Sequence, residues 1–435
     1  MKDKGKYSEK SLSKISDHEI FAEKFLSEKS IERRKKVRGD RFLAFQDLPI
    51  DNSYVLRLQD LGIKIINKLK WFNAVSAYLT DEEVAELTSE NFILKVEKVK
   101  KVSGSKPSNK PVVLPKVSSE ISSTYTYNYG SSITQNELSA IPQVHELGIS
   151  GEGVIIGLLD SGFNWENHVS LKDRKVIAER DFIFNDNETA NEEGIDFSGQ
   201  HNHGTSVFSI LAGFDQSNLI GPAFDAEFLL AKTEYVPTET HSEEDNYAAA
   251  LEWMDSIGVD ITTSSLGYSD GFDKYGEENY TYEDMDGKST IVTRAAEMAF
   301  DRGIVVITSA GNEGNKAWKY ITAPGDGFNT LTVGAVSSSN LVVSFSSVGP
   351  TFDGRMKPEI VAMGSSLINA RASTMDSYSI GSGTSFSAPI VAGVAGMLLS
   401  AHPHLTNSQV RSILMESGDN VENPDNERGY GLVSA

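Results

Sequence analysis

The stretch Gly383–Leu398, GTSFSAPIVAGVAGML, crowds glycines and a proline around a serine and then continues in residues too small to fill a core. Helical spacing begins at Ser385, so the hydroxyl stands in the first turn. There the backbone N–H groups have no intrahelical partner and the helix dipole is positive. Gly and Ala add little beyond the main chain, so the helix they build can lie close to its neighbours. The stretch therefore predicts a tightly packed core helix that presents Ser385 where negative charge can be stabilised.

Working outward, short β-branched runs alternate with helical spacing. The runs are VIIGLLD (154–160), AEFLLAKTEY (226–235), VDITTSSLG (259–267), GIVVITSAG (303–311) and TLTVGAV (330–336), with helices predicted over 243–257 and 289–302. Nearly continuous apolar strands separated by helices indicate a parallel sheet buried on both faces. The expected fold class is α/β, a three-layer sandwich with a mainly parallel sheet. Ligands of such sheets bind beyond the carboxyl ends of the strands. No repeat of 20–50 residues is present.

The N-terminal hundred residues have another character. Helical spacing over Asp51–Leu61 precedes the strand-like runs IKIINKL and WFNAVSAYL, a helix from Asp81, and FILKVEKVKKV as an expected final strand. This predicts a small α+β unit over 1–102 with two helices on one sheet face. Residues 103–124, rich in Ser, Pro and Lys, are expected to link it to a larger unit at 125–435. Residues 1–110 hold 23 Lys+Arg against 17 Asp+Glu, leaving 17 against 44 in the remainder. The two parts thus carry opposite net charge, as expected either of two units that attract each other or of a solubility surface with no partner. The acidic part is a poor partner for nucleic acid, whose phosphates it repels. Cysteine is absent, which removes disulfides and thiolate chemistry. No apolar run reaches the roughly 18 residues of a membrane span, and the polar opening MKDKGKYSEK shows no signal peptide.

Several polar residues fall at the predicted strand ends. Asp160 follows four apolar residues, Asn312 lies in a glycine-flanked turn, and His203 heads a short apolar helix. Singly, each is explained by a turn or cap. Together with Ser385 they form the set that acyl transfer requires. A serine needs a base to take its proton, an imidazole can do so if a carboxylate fixes its tautomer, and the oxyanion needs donors already in place.

The blocks GLLDSG, HGTSV, SSLGY, AGNEG and GTSFSAPIVAGVAG resemble, in that order, the signatures of the subtilisin-like serine peptidases. The order Asp, His, Ser is that of subtilisin. The resemblance spans about residues 125–435. It implies a serine endopeptidase with Asp160, His203 and Ser385 as the triad and Asn312 as an oxyanion donor. It further implies that Ser265, Leu266 and Gly267, with Ser309, Ala310 and Gly311, wall the pocket for the residue before the scissile bond. Residues 1–102 more loosely resemble the family's inhibitory prodomains, so a self-inhibited zymogen processed in the linker is implied. Such prodomains usually begin with a strand, which leaves room for a first strand and an export signal upstream. Residence outside the cell or in its envelope follows from the resemblance alone.

Rival motifs fail on context. GEGVIIG precedes a strand, whereas a dinucleotide loop follows one. Position 387 is serine, so no G-x-S-x-G surrounds Ser385. His201 and His203 lack carboxylate partners for a metal site, and no metal ligand is assigned. Ser382 and Ser387 are expected to bond to backbone. The chemistry needs no cofactor. Family members often bind structural calcium, but the acidic loops 239–245 and 273–286 match no EF-hand and are expected to be solvated surface. The expected partners are peptide or protein substrates and the chain's own N-terminal unit. An inactive, peptidase-like binding module is the alternative; a substitution in the set of four residues would favour it, and none is present.

Overall fold

A computed structural model describes residues 1–15, 17–97 and 125–435. The N-terminal part contains α1 (Glu28–Arg38), α2 (Asn52–Asp60), the antiparallel strands β1 (Ile65–Leu69) and β2 (Ala74–Ala77), and α3 (Asp81–Ser89). Leu58 of α2 and Leu87 of α3 cluster with Ile65, Val75 and Ala77, so two helices cover one face of the hairpin as expected. Residues 92–97, the start of the expected final strand, carry no strand; the rest of that run and the linker 103–124 lie outside the described residues.

The larger part carries β3 (Ile155–Asp160), β4 (Lys175–Asp181), β5 (Glu227–Lys232), β6 (Ile261–Ser264), β7 (Val305–Ser309), β8 (Leu331–Val336) and β9 (Ile360–Met363). They form one sheet in the order β9-β8-β7-β6-β3-β5-β4, every neighbouring pair parallel. Five strands match the sequence reading. The two edge strands do not: β9 has four residues, and the polar KVIAERD of β4 lacks the apolar run that marked the others.

Alternate residues of β3 feed two cores. Ile156 and Leu158 pack with α4 (Asn202–Ala212) and α7 (Thr384–Ala401), while Ile155 and Leu159 pack with α5 (Ser242–Ile257) and α6 (Ile291–Phe300). These are the three layers. The small residues of α7 are required by contact. A Cβ on Gly393 would fall 2.1 Å from Pro222 Cγ, and one on Gly396 3.0 Å from Ile156 Cδ1. With 18 uncharged residues, α7 has the length and apolar composition of a membrane span, which the sequence reading had not credited to any run; 83% of it is buried inside the protein, as a core helix is.

The two parts share one apolar cluster: Leu69 and Trp71 of the N-terminal hairpin join Leu251 and Met254 of α5. The end of α5 receives Ser27, whose N–H donates to Ser256 O at 2.9 Å and whose hydroxyl donates to Ile257 O at 2.6 Å. Beneath α1 lies a buried ionic network. Arg34 meets Asp47 at 3.0 Å and Asp255 at 2.6 Å, Arg33 meets Asp255 at 2.5 Å, and Arg302 meets Asp47 at 2.6 Å. The polar opening is integrated too: Lys4, 1% exposed, donates to the carbonyls of Gln46, Leu48 and Lys70.

Candidate active site

The strand order reverses around β3, whose neighbours are β5 and β6. The crevice beyond their carboxyl ends is where such sheets hold ligands. Asp160, the last residue of β3, is fully buried, and its Oδ1 accepts from the Ser161 N–H at 2.7 Å. His203, in the first turn of α4, presents Nδ1 to both carboxylate oxygens, 2.8 Å from Oδ1 and 3.0 Å from Oδ2. The approach depends on Gly204. A Cβ there would lie 2.2 Å from the Gly162 carbonyl oxygen and 3.1 Å from Asp160 Cβ.

Ser385 lies in the first turn of α7, beside Phe386, whose ring stacks on His203 at a centroid distance of 6.1 Å. Its backbone and side chain tie the helix start to the end of β6: Ser385 Oγ donates to Ser265 O at 3.3 Å, and Ser265 Oγ donates to Ser385 O at 2.8 Å. Asn312 comes from the turn after β7. Its Oδ1 accepts from the Thr384 N–H at 2.9 Å and from the Thr384 hydroxyl at 3.2 Å, which commits the carbonyl end of the amide and leaves Nδ2 as its donor end. The point where a Cβ on Gly383 would sit lies 3.6 Å from Asn312 Nδ2, 3.7 Å from Asn312 Oδ1, which Thr384 already engages, and 3.7 Å from Ser385 N. Two N–H donors thus flank one small space, open because residue 383 has no side chain.

The two predicted walls also meet here. Ser309 Oγ donates to Leu266 O at 3.2 Å, joining segment 309–311 to segment 265–267, and the Gly311 N–H donates to Thr384 Oγ1 at 3.2 Å. All ten residues singled out in the sequence therefore fall at one end of the sheet. Two positioning residues were missed. Thr384 orients Asn312, and buried Gln200 donates to the carbonyls of Ser161, at 2.7 Å, and Glu234. Thr384 sat inside a quoted motif without a role; Gln200 carries no local signal.

Other candidates separate from the site's chemistry. Burial lowers the His201 pKa to about 4, and its Nδ1 accepts from the Asn191 N–H at 2.9 Å, so it is a neutral structural imidazole. Ser387 donates to Thr384 O at 2.9 Å and Ser382 accepts from the Ser366 N–H at 2.9 Å, the backbone bonding expected of them. The loop 239–245 departs from expectation: Glu243, Glu244 and Asp245 are buried, because they open α5, and Glu244 accepts from the Ile291 and Val292 N–H groups that open α6. Glu234, Glu239 and Glu243 bring carboxylate oxygens within 4.8 Å of one another. Glu243 already accepts from the Tyr235 N–H at 3.1 Å and Glu234 from the Tyr268 hydroxyl, so protein donors occupy this group and no calcium role is assigned to it.

Residues 151–431 match the subtilase family of peptidases, and residues 1–112 match the propeptide domain of that peptidase family found in Bacteroidota. The chain belongs to the subtilase family. Among its relatives, subtilisin NAT of Bacillus subtilis subsp. natto is 28% identical over 87% of this chain and 83% of its own length. Serine protease AprX of Bacillus subtilis is 30% identical over 66% of each chain, and subtilisin DY of Bacillus licheniformis is 30% identical over 64% of this chain and 88% of its own. This subtilase is accordingly a serine-type endopeptidase, a hydrolase carrying an N-terminal propeptide domain.

Proposed function

We propose that this subtilase cleaves peptide bonds through Asp160, His203 and Ser385, with Asn312 and the Ser385 N–H holding the oxyanion. The observation that carries the reading is the paired contact of His203 Nδ1 with a fully buried Asp160 carboxylate, beside a helix that starts at the serine. Asp160 fixes the tautomer with the proton on Nδ1 and stabilises the imidazolium. Rotation of the Ser385 hydroxyl away from the Ser265 carbonyl delivers its proton to Nε2 as Oγ attacks the peptide carbonyl. The imidazolium returns that proton to the leaving amine, and water repeats the sequence on the acyl-enzyme. Side chains, substrate and the hydrolytic water together carry every proton and electron pair in this scheme.

Residues 265–267 and 309–311 flank the residue before the scissile bond. Residues 1–102 act as the inhibitory prodomain, 103–124 as the linker cut on activation, and 125–435 as the peptidase. We place the working enzyme outside the cell or in its envelope. A fluorophosphonate added to stored protein should label Ser385 alone, and intact mass should show cleavage between about Lys101 and Tyr127. Labelling at another residue, or labelling that survives Ser385→Ala, refutes the nucleophile; full activity in uncut protein refutes the zymogen.

A further inference from the structure

We propose that His241 is a pH-sensitive brace: its imidazolium ties segment 272–280 to the start of α5, and loss of one proton as pH rises releases that segment. The inference goes beyond the peptidase reading and stands on contacts outside the proposed triad. His241 directly precedes α5. It presents Nδ1 to Glu244 Oε1 at 2.6 Å and Nε2 to the Glu278 carbonyl at 2.9 Å. Both partners accept, so both ring nitrogens must donate, and an imidazole that donates twice is positively charged. Glu244 has no proton to offer in return. Its Oε1 also accepts from the Tyr280 hydroxyl at 2.6 Å, and its Oε2 from the Ile291 and Val292 N–H groups at 3.1 and 3.3 Å.

The ring is held between the two segments it joins. It lies flat on Phe272, with centroids 4.1 Å apart at 11°, and Tyr280 meets it edge-on at 5.0 Å. Phe272 in turn lies parallel to Tyr268 at 6.4 Å, and Tyr268 follows Gly267 in the chain. The titratable groups that face His241 are acids and a phenol. Glu244 and Asp245 come from α5, and Tyr280 and Glu277 from the other segment. The Glu277 carboxylate accepts the His241 backbone N–H at 2.7 Å. Burial opposes the charge on the ring, but the Glu244 carboxylate and the Glu278 carbonyl outweigh it and raise the pKa above 6.5. The folded chain therefore holds this proton more tightly than the unfolded chain does. Bracing is complete below about pH 6.5 and fades as pH passes the raised value. A neutral ring has one N–H for two acceptors. The carboxylate, the stronger acceptor, keeps it, and the Glu278 carbonyl loses its donor.

The test uses the full chain carrying Ser385→Ala. The imidazole nitrogen resonances missing from both His241→Phe and His241→Gln should titrate with a midpoint above pH 6.5, both nitrogens protonated below it. A glutamate-specific protease should cut after Glu277 or Glu278 about 10-fold faster at pH 9 than at pH 6, the size of one net hydrogen bond, once rates are divided by those of a free peptide of the same sequence. His241→Phe keeps the ring stack and removes both donors, so it should be cut at the faster rate at both pH values. A midpoint at or below 6.5 overturns the charge on His241. Cutting of the parent chain that ignores pH, or of His241→Phe that still follows it, overturns the brace. Neither measurement uses catalysis by this chain, so failure here leaves the peptidase reading to the labelling of Ser385.

Discussion

Asn312 shows how much of this site is set by one side chain's orientation. Thr384 engages its carbonyl end twice, so the amide cannot turn over without losing both bonds. Its Nδ2 then faces the space beside Gly383 that Ser385 N also borders. On the proposed mechanism, charge developing in that space would meet donors already in position, and preorganisation of this kind costs no rearrangement during the reaction. Asn312→Ala should lower kcat by about 100- to 1000-fold with KM nearly unchanged, the loss that removing the oxyanion-hole asparagine produces in subtilisin. An unaltered kcat would exclude Asn312 from the oxyanion hole.

At the scale of elements, α5 serves two structures at once. One side packs on β3, and the other receives the N-terminal hairpin, whose Lys70 and Trp71 N–H groups donate to the Glu252 carboxylate at 3.0 and 2.8 Å. Burial outweighs those hydrogen bonds and raises the Glu252 pKa to about 7 from 4.5. The folded chain thus holds this proton more tightly than the unfolded chain does. The stabilisation is complete below about pH 4.5 and is lost as pH rises to about 7, with a limiting slope of about 1.4 kcal/mol per pH unit. In the Ser385→Ala chain, Glu252→Gln should flatten the decline in melting temperature between pH 5 and 7.5. Parallel profiles for the two chains would remove Glu252 from the linkage.

Over the whole molecule, the opposite charges of the two parts are only partly a matter of long-range attraction. Arg34, with no exposed surface, bridges Asp47 of its own part and Asp255 at the far end of α5, while Arg302 reaches back to Asp47. Removing one member of such a network leaves buried charge uncompensated, at a cost of about 3–5 kcal/mol. Arg34→Met in the Ser385→Ala chain should therefore make the N-terminal part sensitive to trypsin while residues 125–435 stay resistant. Equal resistance throughout would show that the remaining contacts, those of the hairpin, Ser27, Arg33 and Arg302, suffice to hold the two parts together.

The sequence by itself determined the parallel sheet and the polar residues that gather at one of its ends, because both leave local marks. Apolar strands end in polar residues flanked by glycine, as at Asp160 and Asn312, and a small-residue helix follows Ser385. It could not reveal β4, whose edge position permits a polar strand, or α1, whose buried face is built from Arg33 and Arg34 and so inverts the usual helical pattern. Nor could it expose the role of Gln200. What that residue does depends on the carbonyls of Ser161 and Glu234, 39 and 34 positions away in the chain, and only folding brings them into reach.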